Sequence, residues 1–219
     1  MTTTSPILAL TGTSTGTDVR TVFARAVATG GDVIAAVRPD QLDGPTPCTG
    51  YDVRTLVGHM VGVLERVVLM GRGENPFQAP DKVTGLADDA WLAAWSDAAE
   101  RVAEAWADDA SLVRIVHLPW AQESGALTLA SYCNEIVVHT WDLATATGQH
   151  PTWDDEAVAT AWESIRGMPG EGRPEMFAAV KAGMPEEYRT APDPWADAVP
   201  VADDADLIDR LVAWNGRRP

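Results

Sequence analysis

The sequence predicts a mainly α-helical bundle with one small β-hairpin and a C-terminal extension that is part irregular, part helical. Three observations predict it. Apolar residues recur every three to four positions through several long segments, the spacing that places them on one face of a helix. The breaks between those segments are rich in Gly, Pro and Asp. Only one short stretch, residues 112–118 (LVRIVHL), has a β-branched, strand-like character. With 219 residues, 46% hydrophobic and 22% charged, the chain can bury one core with a small appended lobe.

Residues 1–16, rich in Thr, Ser and Gly, read as a flexible tail without the basic start and apolar run of a secretory signal. The first helix spans about Thr17 to Val37, with Val19, Val22, Phe23, Ala26, Val27, Val33 and Ile34 in register, and Arg38-Pro39-Asp40 ends it. Asp52 is a suitable N-cap for a second helix running to Gly71, with Leu56, Val57, Met60, Leu64 and Val67 on its apolar face and His59 in its middle. A Gly/Pro-rich connection over 71–80 follows, and Asp88-Asp89 introduces a third helix buried through Trp91, Trp95, Ala98, Val102 and Trp106. Residues 112–118 then read as strand and 119–125 (PWAQESG) as turn, which makes a hairpin between helices. A fourth helix from Leu127 to Thr147 stops at Gly148. A fifth begins after Asp154-Asp155 and uses Val158, Ala161, Trp162 and Ile165. From Gly167 to Asp206 the chain has no long period and is expected to wrap the bundle, before Leu207, Ile208, Leu211 and Val212 form a short last helix. The expected organisation is therefore a tail (1–16), a helical bundle (17–166) and an extension packed on it (167–219).

The formal net charge of −16, with no basic cluster to offset it, argues against nucleic acid and anionic membrane surfaces as partners. No stretch reaches transmembrane length. Cys48 and Cys133 are far apart and form no disulfide framework, so a reducing cytoplasm is the expected compartment. Lys82 and Lys181 are the only lysines among many Arg and Ala, a usage associated with GC-rich bacterial genomes.

The fourth helix carries the chemistry. Thr128, Tyr132, Glu135, His139 and Asp142 recur at three-to-four spacing on one face, while Leu129, Cys133, Ile136, Val137 and Leu143 cover most of the rest. A polar stripe without Lys or Arg on a largely apolar helix suits an internal polar cavity better than solvent. Glu135 and His139 stand one turn apart, as paired ligands on one helix do, although the same spacing also serves a plain helix-surface pair. His59, mid-helix among apolar neighbours, is a suitable third ligand, giving two nitrogens and one oxygen with a coordination position left open.

The segments PTPCTGYDVRTLVGHMVG (45–62) and LASYCNEIVVHTWDLATATGQ (129–149) resemble the signatures of DinB-like metal-binding proteins, in the branch containing mycothiol-dependent maleylpyruvate isomerase. VPVADDADLIDRLVAWNGRRP (199–219) resembles the C-terminal motif of that branch. The resemblance covers nearly the whole chain after the tail. It implies a DinB-like four-helix bundle whose metal ligands are His59, Glu135 and His139, the metal being Zn2+ first, with Ni2+ or Fe2+ as alternatives. It also implies a mycothiol-type thiol as cosubstrate, used in S-transfer to, or isomerisation of, a small electrophile. Arg66, Arg217 and Arg218 are candidates for holding an anionic substrate. A metal-activated-water hydrolase and a non-catalytic metal or small-ligand-binding protein are the competing functions.

Asp142 is a candidate partner for the second imidazole nitrogen of His139, or simply a solubilising residue. Cys133 points away from the ligands and is expected in the core; Cys48 has no evident thiolate-stabilising partner and is expected to pack near the site's mouth. His117 and His150 read as ordinary polar contacts. Trp120 and Trp195, in irregular segments, are expected to pack at the surface or line a pocket. A small molecule and a thiol are the expected partners of a monomer or homodimer.

Overall fold

Asp18 starts the first helix, α1 (Val19–Ala35), by accepting the Arg20 amide at 2.8 Å. Asp52 does the same for α2 (Val53–Arg72) through the Thr55 amide, also at 2.8 Å. In this computed structural model, which describes residues 16–190 and 196–219, these helices are followed by α3 (Trp91–Ala105), the short α4 (Asp109–Val113) and a hairpin of β1 (Ile115–Leu118) and β2 (Ala121–Ser124). Then come α5 (Gly125–Thr147), α6 (Asp155–Ile165), α7 (Arg173–Lys181), α8 (Glu186–Thr190) and α9 (Leu207–Trp214).

The bundle is α1, α2, α3 and α5, with α6 laid along α5 and α9 against both. Its middle element is α5, buried over most of its circumference by Leu129, Cys133, Ile136, Val137 and Leu143 on one side and Thr128, His139 and Asp142 on the other. Leu56, Met60, Val63, Leu64 and Val67 of α2 fill the centre of the core. Two of the three buried indoles of α3 and its C-cap are satisfied: Trp95 Nε1 donates to the Val27 carbonyl at 3.2 Å and Trp106 Nε1 to that of Val67 at 2.9 Å, while Trp91 Nε1 has no partner among the described residues. Cys133 is fully buried, as expected, and its thiol is pushed up to about 12 by burial, with Asp154 adding to the effect.

Three expectations are corrected. Leu112 and Val113 do not belong to a strand: Asp108 caps α4, and five residues are too few to show a helical period. The residues read as a turn contain the second strand, because Pro119-Trp120 alone makes the turn and Ile115 pairs antiparallel with Ser124 through to Leu118 with Ala121. The extension is also more helical than its composition suggests. Pro174 falls in the first turn of α7, where its missing amide costs nothing, so a residue that reads as a breaker is part of a helix start. Arg173, fully buried, ties α7 to α9 by donating to the Pro169 and Trp214 carbonyls and stacking 4.9 Å from the Trp214 ring centroid. The tail up to residue 15 and Trp195 lie outside the described residues. Among the described residues no helix is long and apolar enough to cross a membrane.

Candidate metal centre

His59 on α2 faces Glu135 and His139 on α5 across the bundle. The Nε2 atoms of both histidines point at one carboxylate oxygen, Glu135 Oε1, at 3.4 Å from His59 and 3.6 Å from His139. The two imidazole rings meet edge to face with centroids 5.0 Å apart, and both are buried. Glu135 is half-buried, with about a quarter of its side chain exposed (26%), so the cluster is reachable from one side.

The Nδ1 atoms determine what Nε2 can do. His59 Nδ1 donates to the main-chain carbonyl of Asp81 at 3.0 Å, and a carbonyl only accepts, so the proton sits on Nδ1. His139 Nδ1 donates to Asp142 Oδ2 at 3.0 Å. Asp142 is fully buried and receives Arg217 through two bonds, Nε to Oδ1 at 3.1 Å and Nη2 to Oδ2 at 2.8 Å. Burial opposes its charge, but His139 and Arg217 outweigh that and hold its carboxyl below the usual range, so it stays an acceptor. Both Nε2 lone pairs are thereby turned toward a carboxylate oxygen. Three acceptors converging on one point require a cation there, whether a proton or a metal ion.

The spacing suits the second. Ligand atoms about 2.1 Å from a tetrahedral ion are about 3.4 Å from one another, close to the two distances present. The ligand atoms of His59, Glu135 and His139 all lie within 4.8 Å of one another. Burial works against charge here too. Even so, His139 and His59 hold Glu135 well below the ordinary carboxylate range, and Asp142, Cys48 and Glu135 raise His139 well above the ordinary imidazole range.

The remaining candidates fall out by position. Asp142 is the partner of His139 and not a solubilising residue. Arg217, considered for substrate, is committed to Asp142 and to the Asn215 carbonyl, and Arg218 is exposed. Arg66 is buried beside the cluster, 3.6 Å from Asp81 Oδ1 and 5.6 Å from the Tyr188 ring centroid. Trp120 is half-buried against Phe77 and Phe177, and His117 and His150 are exposed. Cys48 lies at the site, as expected, and it has partners that the sequence does not reveal: its sulfur and ligand atoms of His139 and Asp142 lie within 4.8 Å of one another. Asp81 and Tyr51 were missed as well. Asp81 is buried, takes the Tyr51 hydroxyl at 3.0 Å, and is lowered to about 2, since His59, Arg66 and Tyr51 outweigh the burial that opposes its charge. The loop between α2 and α3 brings it back onto α2, and no local period signals that return.

Residues 23–144, which include His59, Glu135, His139 and Asp142, match the family model described as the mycothiol maleylpyruvate isomerase N-terminal domain. Two curated relatives from two strains of Mycobacterium tuberculosis, each named only as an uncharacterized protein, are 31% identical over 186 residues. That alignment covers 84% of this chain and 90% of each relative. No solved structure matches. With the family model spanning more than half of the chain, and relatives aligned over most of it, the chain belongs to the mycothiol maleylpyruvate isomerase N-terminal domain family.

Proposed function

We propose that this protein is a metal- and thiol-dependent enzyme: His59, Glu135 and His139 hold one divalent ion, and a low-molecular-weight thiol of the mycothiol kind reacts with a small electrophile in S-transfer or isomerisation. The observation that carries the reading is the convergence of two Nε2 atoms on Glu135 Oε1 with both Nδ1 atoms already committed. Two imidazoles and a carboxylate favour zinc, with nickel and iron also compatible. A divalent ion bound there supplies the positive charge that lowers the pKa of a nearby thiol.

The chain's own groups do the rest. Asp142, backed by Arg217, keeps His139 in the tautomer that presents Nε2. Arg66 stays charged at the inner wall and offers a site for an anionic group of the substrate. Tyr132, one turn before Glu135, is pushed up to about 12 by burial, with Glu135 and Tyr188 adding and Arg66 opposing, so at neutral pH it retains a proton to donate in a hydrogen bond. Cytoplasmic placement and a small-molecule partnership without nucleic acid belong to the same proposal.

Metal-loaded protein is expected to consume a chlorobimane only when a thiol is supplied. Turnover of ester or amide substrates without thiol would replace this reading with a hydrolase, and inactivity toward both would leave a metal-binding protein.

The pH dependence of metal binding has a definite sign. His139 has a raised pKa and must lose the proton on Nε2 to coordinate, whereas Glu135 is already ionised. Zinc affinity should therefore rise by about tenfold per pH unit below the raised value and level off above it, with release of at least about one proton. Calorimetry in buffers of different ionisation enthalpy measures this, and pH-independent affinity without proton release would contradict it.

A further inference from the structure

Two glycines of α2, Gly58 and Gly62, stand one turn apart on either side of His59 in sequence and receive the segment 80–83. A Cβ on Gly62 would lie 2.8 Å from the Asp81 carbonyl oxygen and 3.0 Å from that of Pro80, and a Cβ on Gly58 would collide with the Val83 carbonyl. With no side chains between them, loop and helix touch backbone to backbone, and the Val83 amide donates to the Gly58 carbonyl at 2.9 Å. The carbonyl seated in this notch is the one that accepts His59 Nδ1–H at 3.0 Å. The Asp81 side chain supports the seat: its carboxylate takes the Tyr51 hydroxyl at 3.0 Å and lies 3.6 Å from Arg66 and 3.7 Å from Lys82, with Oδ1 3.5 Å from His59 Nδ1, farther than the main-chain oxygen that takes the proton.

We propose that Asp81 is a positioning residue acting through its main chain: the Gly58/Gly62 notch seats its carbonyl against His59, fixing the proton on Nδ1 and turning Nε2 toward Glu135. The consequence for metal affinity rests on the function proposed above, but the geometry of the ring does not. A loop that merely packed on α2 would need neither the notch at Gly62 nor a carbonyl aimed at the imidazole. Asp142 does for His139 with a side chain what Asp81 does for His59 with a backbone oxygen.

Two experiments test this on the full chain. In metal-free wild type carrying 15N-labelled histidine, two-bond 1H–15N correlations at pH 8 are expected to place a proton on His59 Nδ1; a neutral ring protonated on Nε2 overturns the proposal. In cobalt titrations, Gly62→Ala is expected to lower affinity by roughly ten- to a hundredfold, while Asp81→Asn, which keeps the carbonyl and loses only the side chain's support of it, is expected to lose clearly less, about three- to fivefold. Wild-type affinity in Gly62→Ala, or an equal loss in Asp81→Asn, overturns it. Should Gly62→Ala fail to fold, the histidine spectrum and Asp81→Asn still decide. Equal cobalt binding by wild type and Glu135→Ala would instead sink the metal reading, leaving the ring's tautomer as a separate result.

Discussion

Replacing His59 with alanine is expected to lower metal affinity by roughly two to three orders of magnitude and to remove thiol-dependent turnover of an electrophile with it. The size of the effect follows from the ligand count. Of the three clustered ligands only His59 comes from outside α5, so without it the cluster keeps Glu135 and His139, one turn apart on a single helix. Two ligands from one helix do not enclose an ion. The fold should survive, because His59 contributes no part of the apolar core and its hydrogen bonds end on a loop carbonyl and a half-buried carboxylate. Loss of metal and turnover with an unchanged thermal midpoint is the expected combination; retained turnover at wild-type metal content would refute His59 as a ligand.

Asp142→Ala should act on the fold itself. Asp142 is fully buried, and its removal strands two donors: the Arg217 guanidinium, whose side chain is 9% exposed, and His139 Nδ1–H. An uncompensated buried charge of this kind costs about 3–5 kcal/mol, a fall in thermal midpoint of roughly ten degrees for a chain of this size. A double replacement, Asp142→Leu with Arg217→Met, removes both charges together and should recover most of that stability. It should not recover metal binding, because His139 still lacks the partner that orients it, and a loss of about ten- to a hundredfold is expected. Thermal unfolding and zinc competition separate the two effects, and a double variant with wild-type zinc affinity would show that Asp142 serves the fold alone.

What could be read from the sequence divides along physical lines. Long-range packing leaves a periodic trace only where an element is long. Hence α5 is legible, C-terminal end and polar stripe included, since 23 residues display the contrast between Glu135, His139 and Asp142 on one face and Leu129, Ile136 and Leu143 on the others; its start lies two residues before Leu127, at Gly125. His59 was legible only as an anomaly, an imidazole among valines and leucines, and resemblance to a family put it beside the other two. Short elements are misread: the last two residues of α4, Leu112 and Val113, merge with β1, β2 reads as part of a turn, and α7 hides behind the prolines and glycines around it. Contacts made by loops leave little trace. Asp81 and Cys48 reach the site because segments 80–83 and 44–52 fold back onto α2 and α5; the position of Cys48 just before α2 places it near the site's mouth, but for Asp81 the local hint is a pair of glycines in the middle of an otherwise regular helix. Arg217 was noticed for its charge, but its role depends on Asn215, which exchanges amide hydrogen bonds with Asn134 at 2.9 and 3.2 Å and so docks the chain after α9 against α5.

The central claim is that Glu135 joins two histidines around one ion, and metal content tests it most directly. Wild-type protein and Glu135→Ala, purified identically, loaded with zinc and desalted, are compared for bound metal by elemental analysis. The account predicts about one equivalent in the wild type and a small fraction of that in the variant, with both folded. Equal metal in the two proteins would contradict it.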